Sequence, residues 1–383
     1  MTAVPFDDLK TTCTSENAGA AIDQLVEHLT SAKDYDRLFD ALCMQAKLEM
    51  GLPLVQPTSF DDVPDEHDET FKTKYVEAAR KIGQMLLDDD QIPRAWIYFR
   101  TIGENEPVRK AIEAFNGRRE FDETTEQLIQ VALYEGAHPV KGLELLLNSH
   151  GTCNTITAMD QTLPQLNDED RRRAAAMLVN TIYSDLQTTL QNEVQQRGTM
   201  LPPSTSIRDL IAARDWLFEG GNYHIDVSHL NSVVRFSRAL GPDDLELPKA
   251  LELAEYGERL SDQFQYPGDP PFDDFYPGHQ HYFRVVLNDK RDESLDYFRS
   301  KLTSNNEDDD RRMVAYVLVD LLVRTGQHQQ AVDLASDHLS DLEDPNGFSF
   351  AALCRDAGQL DKLAEVARER NDLVTFVGAL LSG

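Results

Sequence analysis

The chain has 383 residues, 41% of them apolar, and carries 67 acidic against 37 basic side chains for a net charge of −30. A chain of this length buries a large core, as two domains or as one elongated array. The charge argues against a nucleic-acid partner, because a phosphate backbone needs clustered Lys and Arg, and the basic runs here, "DEDRRR" and "DDDRR", sit beside acids. A strongly acidic surface keeps a protein soluble and steers basic partners toward it.

The N-terminus, "MTAVPFDDLK", lacks a basic segment followed by an apolar run, and no apolar stretch approaches 18 residues. The expectation is a soluble, cytoplasmic protein without a membrane partner. Cys13, Cys43, Cys153 and Cys354 are widely spaced and form no CxxC, so no disulfide framework is expected.

In chain order, the first feature is a helical hairpin at about 16–50. It is followed by "GLPLVQPTSFDDVPDEHDE" at 51–69, whose prolines and acids predict a linker. Residues 1–60 therefore form the N-terminal hairpin and linker, and 61–261 a helical region with irregular periods. In "RRRAAAMLVNTIYSDLQTTL", Met177, Leu178, Thr181, Ile182 and Leu186 lie on one helical face. "DQFQYPGDPPFDDFYPGHQHYF", 262–283, is too long and too aromatic for an ordinary connection and predicts a binding loop. The C-terminal part, 284–383, contains "RRMVAYVLVDLLVRTG", in which Val314, Leu318 and Leu321 make a stripe that Met313 and Val317 extend. No run of alternating strand residues occurs, so the fold class is all-α.

The connections carry a second pattern. In "LLVRTGQHQQAVDLASDHL" a helix stops at Gly326 and Ala331 opens the next. The arrangement recurs at Gly358 and Leu363, Asp289 and Ser294, Asp90 and Ala95, and Gly136 and Gly142. The turn residue accepts a left-handed cap, and the small residue lets two helices cross closely. This pattern resembles degenerate tetratricopeptide-type repeats, whose period is about 34 residues. The resemblance is clearest at about 68–116 and 283–383, and covers no full consensus of Trp, Leu-Gly, Tyr and Pro. It implies an α-solenoid of antiparallel helix hairpins, with a groove that holds a protein or peptide partner.

Motifs for nucleotide binding and hydrolysis (GxxxxGK[ST], GxGxxG, GxSxG, HExxH) are missing from the sequence. The ligand-type residues concentrate in "GGNYHIDVSHLNSVVRFS", where His224, Asp226 and His229 follow a glycine pair. They have the chemistry of a divalent transition-metal site such as zinc. Their local alternative is simpler: Asp226 caps a helix whose apolar positions are Val227, Leu230, Val233, Val234 and Leu240. Glu135 and His138 lie in another inter-helix turn, and turns of one solenoid edge become neighbours. His279 and His281 form an H-x-H pair beside Asp273 and Asp274. Cys153 follows His150 and Gly151, where a helix dipole lowers a thiol's pKa. The order Cys153, His224, Asp226 is similar to that of transglutaminase-like hydrolases, whose sheet this sequence lacks.

The sequence therefore predicts a non-catalytic interaction scaffold for a protein or peptide of basic character. Tyr266, Phe272, Phe275 and Tyr276 are its contact residues, and Trp96 and Trp216 belong to the core. The alternative is a metal-dependent hydrolytic enzyme with a site drawn from His138, His224, Asp226, His229, His279 and His281.

Overall fold

The computed structural model describes residues 6–13, 18–115, 122–265, 267–304, 307–342 and 347–383. Among them the architecture is all-α, with no strand and an isolated bridge between Pro267 and Asp274. No helix is long and apolar enough to cross a membrane. The chain divides into two compact units, Met1–Pro164 and Gln165–Gly383. That division falls inside the stretch 61–261 that the sequence suggested as one region.

The first unit holds α1 (Phe6–Thr12), α2 (Ala18–Ala32), α3 (Tyr35–Glu49), α4 (Asp65–Asp88), α5 (Ile92–Thr101), α6 (Glu106–Ala114), α7 (Glu123–Ile129) and α8 (Pro139–Thr162). From α1 to α6 each helix packs against its successor. Beyond α7 the helix widens into a π turn, Gln130–Tyr134, against which α8 packs. The expected linker at 51–69 is a strap instead. Lys47, fully buried, donates from Nζ to Asp62 Oδ1 at 2.5 Å and to the Gln56 carbonyl at 3.2 Å, while Phe60 packs edge-on against Phe71. A buried ammonium is costly unless paired, and the strap supplies its partners.

The second unit holds α9 (Asp168–Gln196), α10 (Ile207–Ile211), α11 (Val227–Phe236), α12 (Leu247–Glu258), α13 (Phe275–Val286), α14 (Arg291–Ser304), α15 (Asp308–Arg324), α16 (His328–His338), α17 (Phe350–Asp356), α18 (Leu360–Glu369) and α19 (Leu373–Ser382). From α12 onward each helix again packs on the next. Before that, α9 contacts α10, α11 and α12 together. Its 29 residues carry Leu178, Ile182 and Leu186 on the buried face as the periodicity predicts, with Ala174, Val179, Leu190 and Val194 beside them.

One turn geometry recurs. The amide of Gln327 donates to the Leu322 carbonyl at 2.8 Å, Gln359 to Cys354 at 2.7 Å, Gln91 to Leu86 at 2.8 Å and Asp289 to Arg284 at 2.9 Å. Each pairs with a left-handed residue immediately before it, Gly326, Gly358, Asp90 and Asn288 respectively. This six-to-one closure satisfies a carbonyl that the helix end leaves without a partner. The small residues that open the following helices are buried at the crossing: Ala95, Ser294 and Ala331 are all at most 1% exposed. Leu363, at the equivalent place in α18, is also buried.

In α15 the stripe Val314, Leu318 and Leu321 is buried as expected, and Ala315, Val319 and Leu322 join it. Met313 does not: it is 44% exposed. The stretch 262–283 is likewise different from the expected loop. Its second half is α13, the most enclosed helix of the unit, with Phe275, Tyr276, His279, Gln280, Tyr282 and Phe283 all buried. Tyr276 fills the space beside Gly257, where a Cβ would lie 2.1 Å from its ring. Trp96 is buried as expected, but Trp216 is only half-buried under the Arg197 guanidinium.

Because the two tryptophans report on different units, they make the crossings measurable. A Cβ on Gly142 would meet the Leu133 backbone nitrogen at 2.7 Å. Gly142→Ala should therefore cost about 1–3 kcal/mol in a denaturant transition followed by Trp96 fluorescence in a Trp216→Phe background. Gly326→Ala has open space around its Cβ. It should cost the second unit only the left-handed penalty of about 1–2 kcal/mol, read from Trp216 in a Trp96→Phe background.

Candidate functional site

Most of the predicted ligand residues have a local use. Asp226 is the N-cap of α11: its Oδ1 accepts from the Ser228 amide at 2.9 Å and the His229 amide at 3.3 Å. Those bonds, with one from the Ser228 hydroxyl foremost, hold its carboxyl below the ordinary carboxylate range. His229 is half-buried on the same first turn.

His224 is buried with both ring nitrogens engaged. Its amide donates to the Tyr256 hydroxyl at 2.9 Å, and the same oxygen lies 2.9 Å from Nδ1. In the neutral ring that burial favours, the Tyr256 hydroxyl gives its proton to Nδ1 and the ring proton sits on Nε2, 2.9 Å from Glu193 Oε2. Burial lowers its pKa and outweighs the opposing pull of Glu193.

His279, 1% exposed, lies stacked on Phe272 with centroids 4.3 Å apart. Nδ1 donates to the Phe275 carbonyl at 2.7 Å, and Nε2 has no hydrogen-bond partner among the described residues. Burial, reinforced by the Arg238 charge, pushes its pKa down to about 3. His281 stacks on Tyr297 and bonds Ser294 Oγ at 3.1 Å. In the first unit, His138 caps α8 and sets Nε2 2.5 Å from Glu113 Oε2, while Glu135 accepts from Trp96 Nε1 at 2.8 Å and from Arg100.

Among the described residues, no three His, Cys, Asp or Glu side chains are grouped to hold a metal ion. The metal set drawn from His138, His224, Asp226, His229, His279 and His281 therefore does not assemble; capping, ring stacking and paired ring nitrogens account for all of these side chains but His229. Cys153 is exposed just beyond a backbone break at Gly151 (φ 78°), and its imagined partners His224 and Asp226 are occupied as described.

The predicted contact aromatics also need correction. Phe272, Phe275 and Tyr276 are at most 5% exposed: α13 carries Phe275 and Tyr276 inward, and Phe272, just before the helix, stacks on His279; Tyr266 lies outside the described residues. Phe272 and Phe275 nevertheless border a cavity of about 580 Å³, together with His279, the cis Pro270–Pro271 turn, Arg235 and Arg238 from the end of α11, and Arg312, Met313, Tyr316 and Val317 from α15. A second cavity of about 370 Å³ is lined by Ser228, Asn231, Ser232, Gln263 and Gln265. Arg235 and Phe275 line both, so the two cavities adjoin; both are largely apolar, and the smaller also presents the amides and hydroxyls of Ser228, Asn231, Ser232, Gln263 and Gln265.

Sequence reasoning missed Arg235 and Arg238. The signal was present: from 227 to 242 there is no Asp or Glu, in a chain where acids outnumber bases by almost two to one. Met313 was misplaced for a related reason, since it belongs to the cleft and not to the buried stripe. No family model, no curated protein and no solved structure matches the chain.

The neutral histidines give a signed prediction. Unfolded, His224 and His279 regain a pKa near 6.5. Below that pH the unfolded chain binds protons that the folded chain excludes, so their stabilisation is complete above about pH 6.5 and lost as pH falls toward the folded values. The Trp216-reported denaturant midpoint should drop between about pH 7 and about pH 5, and His279→Phe should shrink that drop by on the order of 1 kcal/mol.

Proposed function

We propose that the chain is a non-catalytic binding protein that holds a peptide segment of a partner protein in the cleft of its second unit. The observation that carries this reading is that the two cavities lie side by side, with Arg235 and Phe275 lining both. Each arm has the size of a ligand pocket, roughly 300–1,000 Å³, and together they make an elongated site suited to an extended chain. One arm offers apolar and aromatic surface from Met313, Tyr316, Val317, Phe272 and Phe275. The other offers side-chain amides and hydroxyls that pair with a peptide backbone. The chemistry expected from net charge alone, a basic partner, is reversed at this cleft, where the described lining carries three arginines and one carboxylate, Asp269.

Selection from a displayed random-peptide library on the intact chain tests the reading. Selected peptides should bind in solution, be recovered uncleaved, and lose about tenfold or more in affinity when Ser232→Trp fills the smaller arm. Recovery of no binding sequence, or of sequences indifferent to Ser232→Trp, would sink the proposal.

A further inference from the structure

Arg238 sits just past α11, in the short 3-10 turn Ser237–Ala239. Its guanidinium carbon lies 4.9 Å from the centre of the Phe272 ring, and Nε donates to the Arg235 carbonyl at 3.3 Å. These two contacts fix the plane of the guanidinium. They leave its terminal nitrogens without a hydrogen bond, and no carboxylate of the described residues lies within ion-pair distance. The neighbouring charges are otherwise engaged. Asp320 accepts from Arg324 Nε and from the Tyr282 hydroxyl, and Arg312 pairs with Asp341 at 2.6 Å. Asp269 borders the same cavity. Arg238 is half-buried, and burial pulls its guanidinium below its ordinary range.

An unpaired, oriented guanidinium at the wall of an apolar cavity is a fork for a planar anion. Met313, Tyr316 and Val317 on α15 also border that cavity. We infer that the larger arm is an anion-recognition subsite: it takes the carboxylate of an Asp or Glu against Arg238, with an adjoining apolar side chain against Met313, Tyr316 and Val317. This rests on the peptide reading above and names the residue pair that the peptide presents there.

The test uses the intact chain with 13C-labelled methionine methyl groups, the Met313 signal being assigned from Met313→Leu. The probes are 4-phenylbutyrate and its uncharged twin 4-phenylbutyramide. Both should shift the Met313 methyl, with the acid bound about tenfold or more tighter, as expected for a charge-assisted bond. In Arg238→Gln the two probes should bind alike. If that variant does not fold, Tyr316→Glu serves in its place: Tyr316 is exposed and borders the same cavity, and a carboxylate there should expel the acid while sparing the amide, with the Met313 reporter intact. Equal affinity for acid and amide in the unaltered chain, an acid preference that survives these variants, or a Met313 signal that neither probe moves would each overturn the inference. An acid preference without any selected peptide sinks the peptide reading alone. Selected peptides that bind regardless of acidic residues and of Arg238 sink this inference alone.

Discussion

The structure depends on one closure, the amide that reaches back over a left-handed residue to the carbonyl five positions earlier. Where it forms, the chain reverses within about three residues and the next helix starts in contact with the last. Glycine supplies the left-handed residue at 326 and 358, but Lys33, Asp90, Asn288 and Asn371 adopt it too, each at roughly 1–2 kcal/mol. The strain is outweighed because every reversal brings a buried stripe against its neighbour. Ala95, Ser294 and Ala331 at the crossings keep the helices near enough for those stripes to mesh. The same requirement is sharpest at Gly142 and Gly257, where the partner's atoms occupy the room a side chain would need.

This explains which parts of the fold could be read from the chain. Period and stripe reveal helices because burial of one face is a local property of spacing, and α9 and α15 follow it. The turns at Gly326, Gly358 and Asp90 were legible because glycine, or a short polar residue, announces a left-handed site. Asn288 was read one position late, since Asp289 beside it has the same character. Segments whose structure is set by distant partners were not legible. The proline-rich strap after α3 looked like a linker until Lys47 was seen to be anchored in it. Residues 262–283 have the composition of a loop, yet Tyr276 is drawn inward by the vacancy at Gly257 and Tyr282 by Asp320.

The candidate site followed the same division. The capping role of Asp226 was legible because a cap is satisfied within three residues. His224 was ambiguous because its partners, Glu193 and Tyr256, are about thirty residues away on either side. The cleft was hidden for a different reason. It is defined by where acids are missing, from 227 to 242, and by two positions on α15, Met313 and Val317, that fit a helical stripe without being buried deeply. Composition averaged over the chain concealed a local reversal of charge.

That reversal has a consequence for ionic selectivity. Fields from the 67 acidic side chains extend about one Debye length, near 10 Å at 0.1 M salt, and repel a ligand in proportion to its valence. The guanidinium of Arg238 acts only at contact and rewards one anionic group, whatever else the ligand carries. At the proposed subsite a ligand with a single negative charge would keep the whole of that contact while meeting the least repulsion on approach, and a polyanion would meet more repulsion for the same contact. Raising salt erases the first effect faster than the second, so on the proposed reading the site would discriminate less between mono- and polyanions in brine while still binding both.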